Sequence, residues 1–267
     1  MILASHHRIT PYDIGALLCG GATGVNVVRK PKILLIPTGS ELVTASSLEN
    51  SVPKHGDTIE FNTHLLSGLI SRAGGIAVRS EIVPDDYDEI KQALIAGIEA
   101  DYDMVVVNAG SSAGTEDYTA AIISELGEIL VHGVAMMPGK PTILGIVGGK
   151  PVMGSPGYPV SAVFSFEVFG LPVIAEMLGV PSSARPTMAA YSARKISSKL
   201  GREEFFRVKL GKVGERIVAA PLPRGAGSIT TLTRADGILR IPSNAEGIEQ
   251  GAMVQVELLN QPQQIEN

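Results

Sequence analysis

The sequence contains no Trp, a single Cys (Cys19), 4% aromatic residues and only 18% charged residues in a length of 267. One cysteine excludes an internal disulfide framework. With 22 Lys and Arg against 27 Asp and Glu, the net charge of -5 excludes a general polybasic surface. Neither nucleic acid nor an anionic membrane is therefore expected as a partner. The five histidines, at 6, 7, 55, 64 and 132, show no zinc-type pairing with one another or with Cys19. No stretch is expected to reach the roughly 20 uncharged apolar residues of a membrane span. The apolar start ends at Ser5-His6-His7-Arg8, too early for a secretory signal, and a cytoplasmic location is expected. What the chain does have is 45% apolar residues, 30 Gly and 17 Pro, the composition of one or two well-packed domains.

Residues 1–31 read as the remnant of a preceding domain or linker, either an unusual natural start or a piece of a longer polypeptide. Thr10-Pro11 suits a helix start, with Ile14, Leu17 and Leu18 expected to face inward. Val25, Val27 and Val28 suggest a strand. From Lys32 short apolar runs alternate with helical periodicity: strands near 33–36, 76–82 and 104–107, and helices carrying Leu66 and Ile70, Ile90 and Leu94, and Ala120 and Ile123. Such alternation predicts a three-layer α/β domain over 32–180 on a mainly parallel sheet. Further strands are expected near 129–134, 142–147 and 151–153, then a long apolar helix over 159–178. After a Pro-bounded linker at 181–186, short strands separated by Gly, Pro and Asn predict a small all-β barrel over 185–260.

Ligands of open parallel sheets bind beyond the carboxyl ends of the strands. Three loops fall there: Pro37-Thr38-Gly39-Ser40-Glu41, Pro84-Asp85-Asp86, and the Gly-rich stretch Asn108-Ala109-Gly110-Ser111-Ser112-Ala113-Gly114-Thr115-Glu116-Asp117. The small residues of the last, with a helix beginning after it, would let backbone N–H groups approach an anion; an ordinary Gly-rich turn is the alternative. Glu41, Asp85 and Asp117 each belong to a different loop, so three carboxylates converging on one cleft would suit Mg²⁺. The alternative is local, with Asp117 and Asp85 serving their own helix and turn. Pro138-Gly139-Lys140-Pro141 presents one cation on a stiffened turn. The tight turn through Pro156, Gly157 and Ser161, and in the barrel Arg207 with the Gly225-Ala226-Gly227-Ser228 turn, offer further contacts.

Taken together these motifs resemble the molybdopterin molybdenumtransferase family (bacterial MoeA and the gephyrin E domain). The matching elements run in family order: Pro37-Thr38-Gly39-Ser40-Glu41, Asn62, Asp85-Asp86, Gly114-Thr115-Glu116-Asp117-Tyr118-Thr119, Pro138-Gly139-Lys140-Pro141 and Ser155-Pro156-Gly157-Tyr158-Pro159. In the barrel they include Gly201-Arg202-Glu203-Glu204-Phe205-Phe206-Arg207. The resemblance implies insertion of molybdate into adenylylated molybdopterin with release of AMP, using Mg²⁺, by a homodimer. It implies that Glu41, Asp85 and Asp117 are the functional, metal-holding carboxylates. Thr38, Gly39, Asn62, Gly110, Ser111, Ser112, Gly114, Lys140, Pro156, Gly157, Ser161, Arg207 and Ser228 would hold substrate.

Three departures stand out. Met137 and Gly133 occupy positions where the family usually carries cations, Tyr158 replaces a usual Asn, and the resemblance does not extend to the family's two N-terminal domains. Two other functions compete: a non-catalytic pterin- or nucleotide-binding fragment, and a pterin adenylyltransferase-like protein. The Pro-Gly-Lys-Pro turn and the β-domain argue against the latter.

Overall fold

The computed structural model describes residues 3–48, 52, 54–109, 113–182 and 184–259, with backbone alone at 48 and 113–117. β1 (Lys32–Pro37) is apolar nearly throughout and five of its six residues are buried. A run without alternation belongs to a strand covered on both faces. β1 lies between β2 (Ile76–Arg79) and β3 (Met104–Asn108), parallel to both. Of the remaining strands, β4 (Gly127–His132), β5 (Ile143–Val147) and β6 (Lys150–Ser155), β6 joins β3 in parallel while β5 and β4 follow antiparallel. The six-stranded order is β2-β1-β3-β6-β5-β4.

Successive side chains of a strand point to opposite faces, so β1 supplies two cores. Leu34 and Ile36 pack with Ile90 and Leu94 of α3 (Tyr87–Glu99) and Ile122 and Ile123 of α4 (Ala113–Leu126). Ile33 and Leu35 pack on the other face with Leu66 and Ile70 of α2 (Asn62–Ala73) and with Phe166 and Ile174. The last two belong to α5, a continuous helix over Pro159–Leu178 with a π-helical turn at Phe166–Gly170. The result is the expected three-layer, mainly parallel α/β arrangement. α2 stops at Gly74, whose φ of 95° is the left-handed conformation that glycine adopts without penalty.

The barrel consists of β7 (Thr187–Ser192), β8 (Glu203–Val213), β9 (Arg216–Pro221), β10 (Gly237–Ile241) and β11 (Met253–Leu258). Their order is β9-β7-β11-β10-β8, and pairing of β8 with β9 closes the ring around Phe206, Val208, Leu210, Leu239 and Val256. Met136 and Met137 form a two-residue strand that leaves the α/β region and pairs in parallel with Glu203 and Glu204 of β8.

Four expectations need correction. The helix α1 (Pro11–Cys19) forms as expected, capped by Thr10 and Asp13, but buries none of its residues; Ile14 and Leu18 are exposed. Val25, Val27 and Val28 are exposed irregular chain rather than strand, because among the described residues no strand pairs with them. The strand expected over 76–82 ends at Arg79; beyond it Val83 makes only an isolated bridge to Thr38. Finally, α5 is long and apolar enough to cross a membrane by length and composition, contrary to the expectation that no stretch is. It is nevertheless half buried, with Phe164, Phe166 and Ile174 in the cores.

Candidate functional site

β1, β3 and β6 end side by side, with Pro37 opposite Asn108 and Asn108 opposite Ser155. The chain segments beyond them stay in contact. Thr38 N donates to Asn108 O at 3.0 Å, Gly39 N to Val83 O at 3.0 Å and Ala109 N to Ser155 O at 3.0 Å. The buried Asn108 side chain donates from Nδ2 to Pro156 O at 3.0 Å. A polar residue ending a wholly apolar buried strand is costly unless paired. Asn108 therefore ties the strand edge to the 155–157 turn, a role that sequence reading assigned to no residue. Its one available signal was that polar terminus. Asn108→Ala is expected to cost about 1–3 kcal/mol by leaving Pro156 O unpaired, read as a lowered denaturation midpoint in urea.

In the first loop Gly39 has φ 155°, and a Cβ there would lie 2.8 Å from Leu42 Cγ and 3.0 Å from Glu41 Oε2. The Glu41 carboxylate thus folds over Gly39, which needs a residue without a side chain. Asp85 N donates to Ser40 Oγ at 3.1 Å, joining the second loop to the first. Helix capping falls to Asp86, which accepts from Asp88 N and Glu89 N. Asp85 is thereby relieved of that local duty, and the structure brings it to the loop that carries Glu41. Of the third loop, Gly110, Ser111 and Ser112 lie outside the described residues. The helix expected to begin near Asp117 already starts at Ala113, so Gly114 and Asp117, placed by backbone alone, lie within α4 and not in the loop. Among the described residues no group of three His, Cys, Asp or Glu is arranged to hold a metal ion.

Asn62 opens α2 and its Nδ2 donates to Gly157 O at 2.6 Å, which ties the helix start to the 155–157 turn. The cap itself comes from buried Glu60, which accepts from Thr63 N at 2.8 Å and Thr63 Oγ1 at 2.7 Å. Pro156 and Ser161 are buried. Val160 N donates to Ala226 O at 3.0 Å, and the Tyr158 ring lies beside Gly227, so the barrel docks its 225–228 turn onto this edge. Ser228 sits in that turn and precedes α6 (Thr230–Arg234), where its carbonyl accepts from Thr231.

Arg207 departs from expectation. It is 2% exposed, and its donors reach Thr231 Oγ1, Pro223 O and Gly225 O. Burial pushes its guanidinium pKa down. As placed, Arg207 anchors the 223–228 turn while also lining a small cavity beside Met137. The Pro138–Pro141 turn is held from behind, since the Thr142 hydroxyl bonds Gly139 O at 2.7 Å and Ser165 Oγ at 2.6 Å. Lys140 is exposed at its tip. Met137, 43% exposed, is no core residue; it lines a small cavity with Glu204, Arg207 and Arg224.

Loops bearing glycine and carboxylates at the carboxyl edge of a parallel sheet, with a closed barrel docked on that edge, define a ligand-binding α/β protein. The comparisons agree. Residues 34–176 match the family model described as a probable molybdopterin binding domain, and residues 189–259 match the MoeA C-terminal region (domain IV). The chain belongs to the molybdopterin molybdenumtransferase (MoeA) family. It is 33% identical over 263 residues to a putative molybdopterin biosynthesis protein of Methanocaldococcus jannaschii, covering 97% of this chain and 63% of that one. It is 28% identical to molybdopterin molybdenumtransferase 2 of Mycobacterium tuberculosis, covering 96% and 63%. A crystal structure of the molybdopterin biosynthesis MoeA protein from Pyrococcus horikosii superposes with a TM-score of 0.79 at 32% identity, covering 97% and 62%. The chain thus spans a little over three fifths of the length of these relatives.

Proposed function

We propose that this chain carries the part of a molybdopterin molybdenumtransferase that binds adenylylated molybdopterin and molybdate, and that it takes part in molybdate insertion with release of AMP. The observation that carries this reading is the meeting of the Glu41 and Asp85 loops with the Asn108 edge, onto which the barrel turn docks. Glu41 and Asp85, with Asp117 in the first turns of α4, offer the hard oxygen donors that Mg²⁺ takes. When bound there, Mg²⁺ would neutralise phosphate charge at the anhydride that is broken. Of the chain's own groups, Lys140 supplies a positive charge for an oxyanion. A homodimer in the cytoplasm belongs to the same proposal. The deciding measurement is AMP release from adenylylated molybdopterin on adding molybdate, with Mg²⁺ present or chelated. Tight pterin binding without AMP release would favour the non-catalytic fragment instead.

Two variants probe this reading. Asp117→Asn is expected to lower Mg²⁺-dependent nucleotide affinity while leaving the thermal midpoint in place; calorimetry showing equal Mg²⁺-dependent affinity would remove Asp117 from the site. Met137→Lys puts a cation beside the Glu204 and Arg224 cavity. Because Met137 is exposed, its stability should change by no more than about 0.5 kcal/mol. Molybdate affinity is expected to rise about threefold to tenfold at low salt and to fall back as salt is added. Unchanged molybdate affinity in the folded variant would take position 137 out of the oxyanion pocket.

A further inference from the structure

Among the described residues four aromatic side chains are exposed: Tyr12, Phe61, Tyr118 and Tyr158. Two of the four, Phe61 and Tyr158, flank the Asn62–Gly157 contact at the sheet edge described above, although aromatic residues make up only 4% of the chain. Phe61 immediately precedes Asn62, and Tyr158 immediately follows Gly157. The 2.6 Å bond from Asn62 Nδ2 to Gly157 O therefore holds these two exposed aromatic positions next to one another. Phe61 is 38% exposed and Tyr158 51%, and the Tyr158 ring is steadied by the glycine of the barrel turn, Gly227.

The same junction carries an acceptor with no partner among the described residues. Asn62 is 9% exposed, its Nδ2 is spent on Gly157, and its Oδ1 is buried with no hydrogen-bond partner. A buried amide oxygen left without a donor is rare in native proteins and calls for something to satisfy it. Exposed aromatic rings around such an acceptor match a flat ring with an amine on its edge. The rings take its faces by stacking, and the acceptor takes its N–H.

We propose that Phe61 and Tyr158 receive the heteroaromatic ring of the substrate between them, and that the ring's amine donates to Asn62 Oδ1. The inference rests on the proposed function, which supplies a substrate with two such rings, adenine and pterin; both carry an amine and share this chemistry. Tyr158 stands where the family usually has Asn, so the stacking surface is a property of this chain's own sequence.

The test uses the full chain and five probes: AMP, inosine monophosphate, neopterin, a lumazine lacking the pterin amine, and inorganic pyrophosphate, which has no ring. Tyr158→Ala and Phe61→Ala are each expected to weaken AMP or neopterin by about fivefold or more, with pyrophosphate unchanged. Tyr158→Phe should bind as the unaltered protein does. The unaltered protein should also prefer the amine-bearing ring over its oxo counterpart, AMP over inosine monophosphate or neopterin over the lumazine, and the pair that shows the preference identifies the ring. Equal ring affinities in the alanine variants overturn the inference while leaving the proposed function standing. An equal loss of ring probes and pyrophosphate also overturns it, by showing that Tyr158 and Phe61 only shape the fold. Absence of binding of every probe to the unaltered protein overturns both.

Discussion

Arg185→Ala is expected to lower stability by about 3–5 kcal/mol at neutral pH, the cost of stranding a buried partner charge, and by clearly less at pH 5. Glu167 sits on the π-helical turn of α5, paired with Arg185 from the segment that joins the two domains. Arg185 also lies 3.9 Å from Glu257 on β11, so one guanidinium faces a carboxylate from each domain. Burial pushes the Glu167 carboxyl pKa up from its ordinary value of 4.5; Arg185 and, less strongly, Arg72 oppose that rise, and Glu257 adds to it. A carboxyl with a raised folded-state pKa binds its proton more tightly folded than unfolded. Its contribution to stability is therefore most favourable below the unfolded pKa and declines as pH rises through the folded pKa. Removing Arg185 raises the folded pKa further and deepens that decline at neutral pH, while lowering the pH relieves it. Denaturant titrations at pH 7.5 and pH 5 read the difference. An equal loss at both pH values would show that Glu167 does not titrate as its surroundings imply.

Gly139→Ala is the second large effect. Gly139 has φ 112°, and a Cβ would lie 2.7 Å from Ser165 Oγ and 2.9 Å from Met136 Cε. Left-handed strain in a residue with a side chain costs on the order of 1–3 kcal/mol, and displacing Ser165 breaks its bond with Thr142. A total of about 2–4 kcal/mol corresponds to a thermal midpoint lowered by roughly 5–10 °C in a chain of this size. Because the same turn carries Lys140, oxyanion binding should fall in parallel. Lys140→Ala separates the two effects: its side chain is exposed, so binding should weaken with the midpoint nearly unmoved. A midpoint that stays in place in Gly139→Ala would mean that the turn relaxes freely away from α5.

The layered part of this fold was legible because its signals are local. The run Ile33-Leu34-Leu35-Ile36 has no polar interruption, and a strand of that kind needs cover on both faces. Gly74 ends α2 and Asp86 caps α3, both through backbone requirements that their own residue types meet. The N-terminal segment misled for the converse reason. Val25, Val27 and Val28 have strand propensity, but propensity becomes a strand only where a partner is present. β7 went unread because Thr187–Ser192 is small and mixed; its pairing with β11 and β9 is long-range and leaves no mark in its own six residues.

The site was legible to a different depth. Glycines and carboxylates in loops pointed to the sheet edge, yet which carboxylate caps the helix and which joins the first loop through its backbone N–H depended on one residue of register between Asp85 and Asp86. Arg207 illustrates the limit of charge as a guide. A guanidinium looks like a ligand contact in a sequence, but the carbonyls of Pro223 and Gly225 that occupy it are backbone atoms, present at every position and distinguished only by folding. Asn108 and Glu60 were overlooked for a related reason: each acts by fastening neighbouring segments, and a fastening residue carries no motif of its own.

The strand at Met136–Met137 bears on the order in which the molecule is made. During synthesis the amino-terminal region leaves the ribosome first, and domains fold largely as they emerge. The α/β layer can therefore be assembled, with Met136 and Met137 presenting an open strand edge, before Glu203 and Glu204 exist to pair with it. The nascent barrel then grows its longest strand, β8, against a ready template, and the first domain serves the second as a built-in folding guide.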